Sequence, residues 1–428
     1  MAHYTSQPDE LMVAEALAYL RSNAPKKYSA RSANSCVDTA RGELVADVGK
    51  CLPRRQKGVA IVPVKGAYLH LEKVAKGKAR IVAKRPDKAM GLTYTVPADF
   101  DWNRVAADGA YVPHEVNPDG HFGLYLSRFL PDLGVRALTQ EAFASTLLPM
   151  CFEKAIVLHG DGSNGKSTAL HLLKAFHPNT AALRLSQIST QFGLVQLAGA
   201  TLATVSEAPT RLEAGTQDLL KALISRDPQP LERKRKDAYT FQPQATLVFA
   251  QNSFLKGTDF SYGFRRKFLI LPFTVCLPEN SSERILDFHL TITQNPGEMA
   301  QVLDWLLAGA LRLIERGGFG EMPEAVQALS AEQSSETDTI YAFLTDRNAA
   351  VDASVKTLRP QVFAAYRAHC EEGNRKPVSG TDFWKRVRAQ FPDANLGDAS
   401  QIRTTNGLRE RWVHLRVDGV APHVGLAA

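Results

Sequence analysis

The sequence predicts an α/β protein built around a mainly parallel sheet, and three observations predict it. Short apolar runs rich in β-branched residues recur from about residue 153 to 275, separated by segments of helical period. The first run leads directly into HGDGSNGKST, His159 to Thr168, which satisfies G-x-x-x-x-G-K-[ST] and precedes an apolar-periodic helix. At 428 residues the chain exceeds one ordinary core, so further domains flank this one.

Residues 1–120 read as a basic N-terminal α+β domain. Leu11 to Leu20 is apolar at helical spacing, and the Ser/Ala/Asn-rich stretch after it, to residue 35, reads as a linker. GVAIVPV, AYLHLEK and ARIVAK read as short strands with Gly and Lys turns between them. From Lys50 to Lys88 twelve Lys/Arg stand against two Asp/Glu, a local excess larger than the +7 of the whole chain. That field suits a polyanionic partner, and equally a solvated face of a β-rich domain. Residues 121–152 predict a helical collar, HFGLYLSRFL then LTQEAFASTLL.

In 153–316 the strand candidates are KAIVLH, ATLATVS, ATLVFA and RKFLILPF. The helix candidates are Lys166–Phe176, Gly215–Ser225 and 299–315. Residues 317–337, with Gly, Pro and Ser, read as a linker. In 338–428 two helices, Arg359–Glu371 and Thr381–Gln390, precede strands QIRTT and LRERWVHLRV joined through Asn406-Gly407, a hairpin-turn dipeptide. Helices followed by a hairpin outline a winged helix.

Several classes are set aside by composition. With 44% apolar and 22% charged residues the chain reads as a globular protein of the cytoplasm. Its longest apolar stretch, Leu303 to Ile314, is too short for a bilayer and contains Asp304 and Arg312. Asp9 and Glu10 stand where a signal peptide needs a basic region, so no membrane partner is expected. The cysteines (Cys36, Cys51, Cys151, Cys276, Cys370) are odd in number and lack a C-x-x-C, which predicts reduced, buried thiols and no structural zinc. The eleven histidines form no metal-ligand spacing, so a metal is expected only with a nucleotide.

The glycine loop carries the sharpest chemistry. Gly160 and Gly165 let backbone amides turn toward phosphates, and the helix beginning near Lys166 directs its positive end at the anion. Lys166 is expected to reach the β- and γ-phosphates of ATP, and Ser167 to hold Mg²⁺. Glu207 ends the strand TLATVSE, where a carboxylate can polarise water, although a core strand can also end in a solvated Glu. Asn252 ends TLVFAQN and is placed to hold that water or the γ-phosphate. Arg265 and Arg266 precede FLILPF; tandem arginines are usually surface charge, but either could act as an arginine finger, worth roughly 10³- to 10⁵-fold in rate. Arg233, Lys234, Arg235 and Lys236 lie between helix and strand, where they could track a phosphate backbone or simply form an exposed loop. Tyr239 and Phe241 follow at alternate positions, where they could stack on bases, although core packing is the favoured reading.

Together these residues resemble the superfamily-three helicases, in particular the phage and satellite-phage primase/helicase family. The family loop G-x-G-x-N-G-K-[ST] is matched by Gly160, Gly162, Asn164, Gly165, Lys166 and Ser167, with Thr168 next. Its strand ending in Ser-Glu is matched by Ser206-Glu207, and its strand ending in Asn by Asn252. Its acidic residue, Gly and paired Arg are matched by Asp259, Gly263, Arg265 and Arg266. The segment from Lys221 and Asp227 through the basic hairpin also resembles it. The resemblance is strong over residues 150–275 and looser on either side.

It implies an AAA+-like P-loop ATPase with a collar and a C-terminal winged helix, assembled as a hexamer on single-stranded DNA. ATP and Mg²⁺ would then lie between subunits, with Arg265 or Arg266 from the neighbour and residues 233–236 as a pore hairpin. Two departures stand out: the second motif has one acidic residue, leaving Ser167 and Glu207 as the metal-side candidates, and no Pro follows Asn252. The first 150 residues carry no paired-carboxylate motif, so a separate polypeptide would act as primase.

A second reading is an ATP-switched initiator or loader that binds origin duplex DNA. Arg375 to Arg416 holds nine Lys/Arg against four Asp/Glu, with Lys385, Arg386 and Arg388 on one helix. A third, a small-molecule kinase, accounts poorly for the basic hairpin and tandem arginines.

Overall fold

β-Branched residues fill four of the seven positions of β1 (Val59–Lys65), which forms a meander with β2 (Ala67–Lys73) and β3 (Ala79–Lys84). This computed structural model describes residues 9–48, 59–74, 77–87, 90, 92, 94–190, 192–205, 211–233, 236–257, 262–278, 280–281, 284–394, 401–403 and 409–422. The chain divides into two units: Met1–Ala208, Ala222–Asn252 and Leu271–Pro323 form the first, and Pro209–Lys221, Ser253–Ile270 and Glu324–Ala428 the second.

In the first unit β4 (Val96–Asp99) and β5 (Ala110–Tyr111) complete a sheet of order β4-β1-β2-β3-β5. Two helices precede it, α1 (Asp9–Asn23) and α2 (Ala30–Val48). The expected linker therefore overlaps a helix. Its Ser/Asn content hides an apolar stripe: Ala33 and Val37, one turn apart, are buried.

The segment expected as a collar holds two helices, α3 (His121–Phe129) and α4 (Leu133–Ser145). A second sheet follows, formed by β6 (Ala155–His159), β7 (Thr180–Ala182), β8 (Leu202–Val205), β12 (Thr246–Gln251) and β14 (Phe268–Pro272). Its order is β14-β6-β12-β8-β7, and β6, β12, β8 and β7 pair in parallel. Strands buried on both faces, like β6 and β8, suit a parallel sheet. At three residues, β7 is too short to show a period, and pattern reading passes over it. Helix α5 (Lys166–Ala175) leaves β6, while β10 (Gln229–Arg233) and β11 (Lys236–Phe241) form a separate two-stranded ribbon.

Helices α8 (Phe288–Thr293) and α9 (Pro296–Arg316) close this unit. Helix α9 spans its parts through buried acids. Asp304, 2% exposed, accepts from Arg104 Nη2 at 2.7 Å and Tyr111 OH at 2.5 Å, tying α9 to the β5 region. Glu298 accepts from the N–H groups of His121 and Phe122 at 3.0 and 2.8 Å, capping α3. Glu141 of α4 pairs with Arg312 at 2.8 Å and with Arg316.

Helix α6 (Ala214–Ser225) begins in the second unit and ends in the first; β14 likewise runs from one to the other. In the second unit β9 (Arg211–Leu212) pairs in parallel with β13 (Lys256–Gly257), and α7 (Tyr262–Arg265) follows. The predicted linker at 317–337 is replaced over most of its length by α10 (Glu324–Thr337). Ala and Glu favour that helix, and Val326 and Gln333, seven residues apart, are its buried side.

The rest of this unit runs α11 (Thr339–Asp346), β15 (Ala350–Val351), β16 (Thr357–Leu358), α12 (Arg359–Glu372), α13 (Gly380–Gln390), β17 (Gln401–Arg403), β18 (Arg409–Val413) and β19 (Leu415–Arg416). Its three-stranded sheet has the order β16-β18-β17, over a core that includes Phe343, Tyr366, Phe383, Val387 and Val413. The Asn406-Gly407 turn lies outside the described residues. Of the described cysteines only Cys370 is buried; Cys36 and Cys276 are exposed, against the expectation of buried thiols, and all four are free. Among the described residues, no helix is long and apolar enough to cross a membrane.

Candidate functional site

The site begins where β6 ends. The buried run Ala155–Leu158 anchors His159, whose carbonyl accepts from Phe273 N at 2.7 Å, while Gly160 N donates to Gln251 O at 3.2 Å. The loop is thus held between the two strands that flank β6. Gly160 has φ +151°, and a Cβ there would stand 2.1 Å from Phe273 O. Gly165 has φ +82°, and its Cβ would come 2.7 Å from the Phe129 ring. Both positions exclude a side chain by contact as well as by backbone conformation.

Asn164, 3% exposed, closes the loop by donating from Nδ2 to Phe273 O at 2.7 Å. Ser163 O accepts from Leu277 N at 3.0 Å. Gly165 is the N-cap of α5 and offers no side-chain cap, so the first amides of that helix keep their donors for another acceptor.

Lys166, 7% exposed, folds its ammonium against the loop. Nζ donates to the carbonyls of Gly160 and Asp161, each at 2.5 Å, and to Asn164 Oδ1 at 3.0 Å. Burial lowers its pKa from the ordinary lysine value, and the neighbouring Cys276 and Asp161 oppose that shift. The loop thus brings the Lys166 ammonium and the uncapped start of α5 together.

A cleft of about 380 Å³ opens over these groups, lined by Gly162 to Thr168 together with Asn252. The parallel register explains how Asn252 arrives: β12 lies between β6 and β8, with Gln251 opposite His159, so Asn252 emerges beside the loop. Gln251 Nε2 is buried and has no hydrogen-bond partner among the described residues. Strand β8 ends at Val205 on the same edge, and Ser206 and Glu207 lie outside the described residues.

Several lining residues carry no motif. Arg128 and Phe129 at the end of α3, with Leu277, Arg284, Ile285 and Phe288, form the rest of the wall. The i, i+4 spacing of Tyr125 and Phe129 in HFGLYLSRFL was the available signal, and the Tyr125 hydroxyl donates to Gly165 O at 3.1 Å. Nothing local in 277–288 marks Arg284.

The basic hairpin is β10–β11, where Arg233 pairs with Lys236 across the ribbon; Lys234 and Arg235 fall outside the described residues. Tyr239 is 41% exposed rather than in the core, because a two-stranded ribbon leaves one of its faces uncovered. Asp259 is outside the described residues. In the second unit Arg265 Nη1 donates to Asp338 Oδ2 at 3.0 Å, whereas Arg266 is exposed.

Residues 158–266 match a family of unknown function (DUF5906). No curated protein matches the sequence. Among solved structures, the A form apo structure of the NrS-1 C terminal region is 13% identical, with a TM-score of 0.45, covering 83% of this chain and 96% of that one. Another apo structure of that region, residues 305–718, is 12% identical with a TM-score of 0.41, covering 84% and 96%.

Proposed function

We propose that this chain is an ATP-driven motor on single-stranded DNA, a ring-forming helicase subunit acting in replication. The carrying observation is the convergence at one sheet edge. Strand β12 lies between β6 and β8 and parallel to both, so the Lys166 loop and Asn252 line one cleft, and β8, the strand leading to Glu207, ends on the same edge of the sheet. That arrangement supports a hydrolytic site in addition to a binding one.

The cleft suits a nucleoside triphosphate: its volume, the uncapped start of α5 and the Lys166 ammonium fit a triphosphate, and Ser167 is exposed at the helix start. Phe129, Ile285 and Phe288 offer apolar surface to the base. Lys166 would exchange loop carbonyls for phosphate oxygens, Glu207 would polarise water, and Asn252 would orient it. Ser167 and Glu207 are the residues that would hold Mg²⁺, which would supply positive charge to the phosphates. A neighbour's arginine would complete the site, which makes the oligomer the active form.

The ribbon β10–β11 supports the coupling to DNA. Arg233 and Lys236 are opposite each other in its backbone register, and Tyr239 of β11 is exposed. In the second unit the order α11-β16-α12-α13-β17-β18, with β18 between β16 and β17, supports a winged helix. Lys385 and Arg388 are exposed on α13, which favours contact with duplex phosphate.

The test is ATP hydrolysis with and without single-stranded DNA, for wild type, Lys166→Ala and Arg266→Ala, followed by strand separation on a forked duplex. DNA stimulation lost in both variants, and partly restored by mixing them, is the expected result. DNA-independent hydrolysis would refute the motor. DNA-stimulated hydrolysis without strand separation would leave the loader reading.

A further inference from the structure

Gly165 stands at the start of α5 with φ +82° and no Cβ, so the peptide joining it to Lys166 has more rotational freedom than its neighbours. The orientation of that peptide matters to an anion. In a trans peptide the N–H and the C=O point opposite ways, so the Lys166 amide turns away from wherever the Gly165 carbonyl turns. A carbonyl facing the cleft would repel phosphate oxygens, whereas an amide facing it would bind them.

Two donors hold the Gly165 carbonyl. Ala169 N donates to it at 2.9 Å, the first bond of α5, and the Tyr125 hydroxyl donates to it at 3.1 Å. A carbonyl oxygen has two lone pairs, and both are taken here. The first bond is common to any helix; the second is brought by α3 from 40 residues away in sequence.

Tyr125 is itself held from behind. Its side chain is 2% exposed, and its ring packs between those of Phe122 and Phe129, with centroids 6.4 and 5.5 Å away. Helix α3 is fixed at its start by the Glu298 carboxylate on the His121 and Phe122 amides. Gly123 lets the preceding loop close on it, since a Cβ there would stand 2.1 Å from Asn117 O. Burial pushes the Tyr125 phenol well above its ordinary pKa, so the hydroxyl keeps its proton at any working pH. The donor is therefore preset, not recruited by a ligand.

We propose that Tyr125 is a positioning residue for the glycine loop: its hydroxyl holds the Gly165 carbonyl toward α3 and so presents the Lys166 amide to the phosphates of a bound nucleotide. The proposal rests on the nucleotide reading above. It gives α3, which carries none of the loop's motif, a share in affinity. It also directs the cost of losing the hydroxyl to the polyphosphate and not to the base.

The experiment titrates the full chain with a fluorescent ATP analogue, displaces it with inorganic tripolyphosphate, and measures kcat and KM. Tyr125→Phe deletes one oxygen and keeps the ring. It should weaken the analogue and tripolyphosphate by the same factor, roughly three- to tenfold. KM should rise with them while kcat stays within about twofold, because ground state and transition state lose the same contact. Phe288→Ala, on the apolar wall, should weaken the analogue and leave tripolyphosphate unchanged. Unchanged tripolyphosphate affinity in Tyr125→Phe would overturn the proposal. So would faster hydrogen exchange over Leu170–Ala175 in the ligand-free variant, which would make the hydroxyl a prop for the helix alone. If Lys166→Ala binds the analogue as tightly as the wild type, the nucleotide reading itself fails, and the proposal with it.

Discussion

Acid should loosen the helix that starts at Lys166, through a residue just past its C-terminal end. His177 is 5% exposed, and its two ring nitrogens hydrogen-bond Thr201 Oγ1 and Thr146 Oγ1, each at 3.0 Å. It pins the end of α5 to the segment after α4 and to the strand entry before β8. Burial pushes its pKa down to about 3 from the ordinary 6.5. A group whose folded pKa is depressed contributes stability that is complete above the unfolded pKa, so the contribution is full at pH 7. It is lost as pH falls from 6.5 toward 3, because the unfolded chain takes up the proton first.

At pH 5 the difference is about 1.5 units, or about 2 kcal/mol, equivalent to roughly 30-fold in an opening equilibrium. Hydrogen exchange over Lys166–Ala175, corrected for intrinsic rates, reads this directly. Wild type should lose roughly 30-fold protection between pH 7 and pH 5, and His177→Gln, which does not titrate, should lose far less. Equal losses in the two proteins would refute the reasoning.

Gly165→Ala places a Cβ 2.7 Å from the Phe129 ring at φ +82°. It should cost about 1–2 kcal/mol from the backbone alone and weaken nucleotide binding about tenfold, with part of the affinity returned by Phe129→Ala; calorimetric titration checks both. Asp304→Ala strands Arg104 and the Tyr111 hydroxyl in the interior of the first unit. It should destabilise that unit by about 3–5 kcal/mol in chemical denaturation, against less than about 1 kcal/mol for Lys65→Ala, whose ion pair with Asp99 is exposed. Replacing Arg233 and Lys236 by Ala should flatten the salt dependence of single-stranded DNA binding, by about 0.7 in the log–log slope for each lost phosphate contact. An unchanged slope would remove the ribbon from the DNA path.

The legible parts of the fold were those with local signals. The strands β1, β2, β3, β6, β8, β12 and β14 were readable because each is a short apolar run between breakers. The glycine loop was readable because its residues are consecutive. Helices α2 and α10 were not, since their buried stripes are narrow and their remaining positions resemble a linker. Tyr239 was misassigned because alternation alone does not say whether a ribbon has a second layer over it.

By itself the sequence determined a glycine-rich loop, the strand before it and the helix after it, because those constraints act within about ten residues. It also marked Asn252, Arg265 and Arg266 as ends of strands or edges of apolar runs. Only the tertiary structure decided that β12 lies beside β6, bringing Asn252 into the cleft, and that Arg284 and Phe129 share its wall. It alone decided that Arg265 is committed to a carboxylate 73 residues away, and that Asp304 binds Arg104 across 200. Strand order and buried ion pairs join residues far apart in the chain; their partners are chosen by packing of the whole core, which no local pattern encodes.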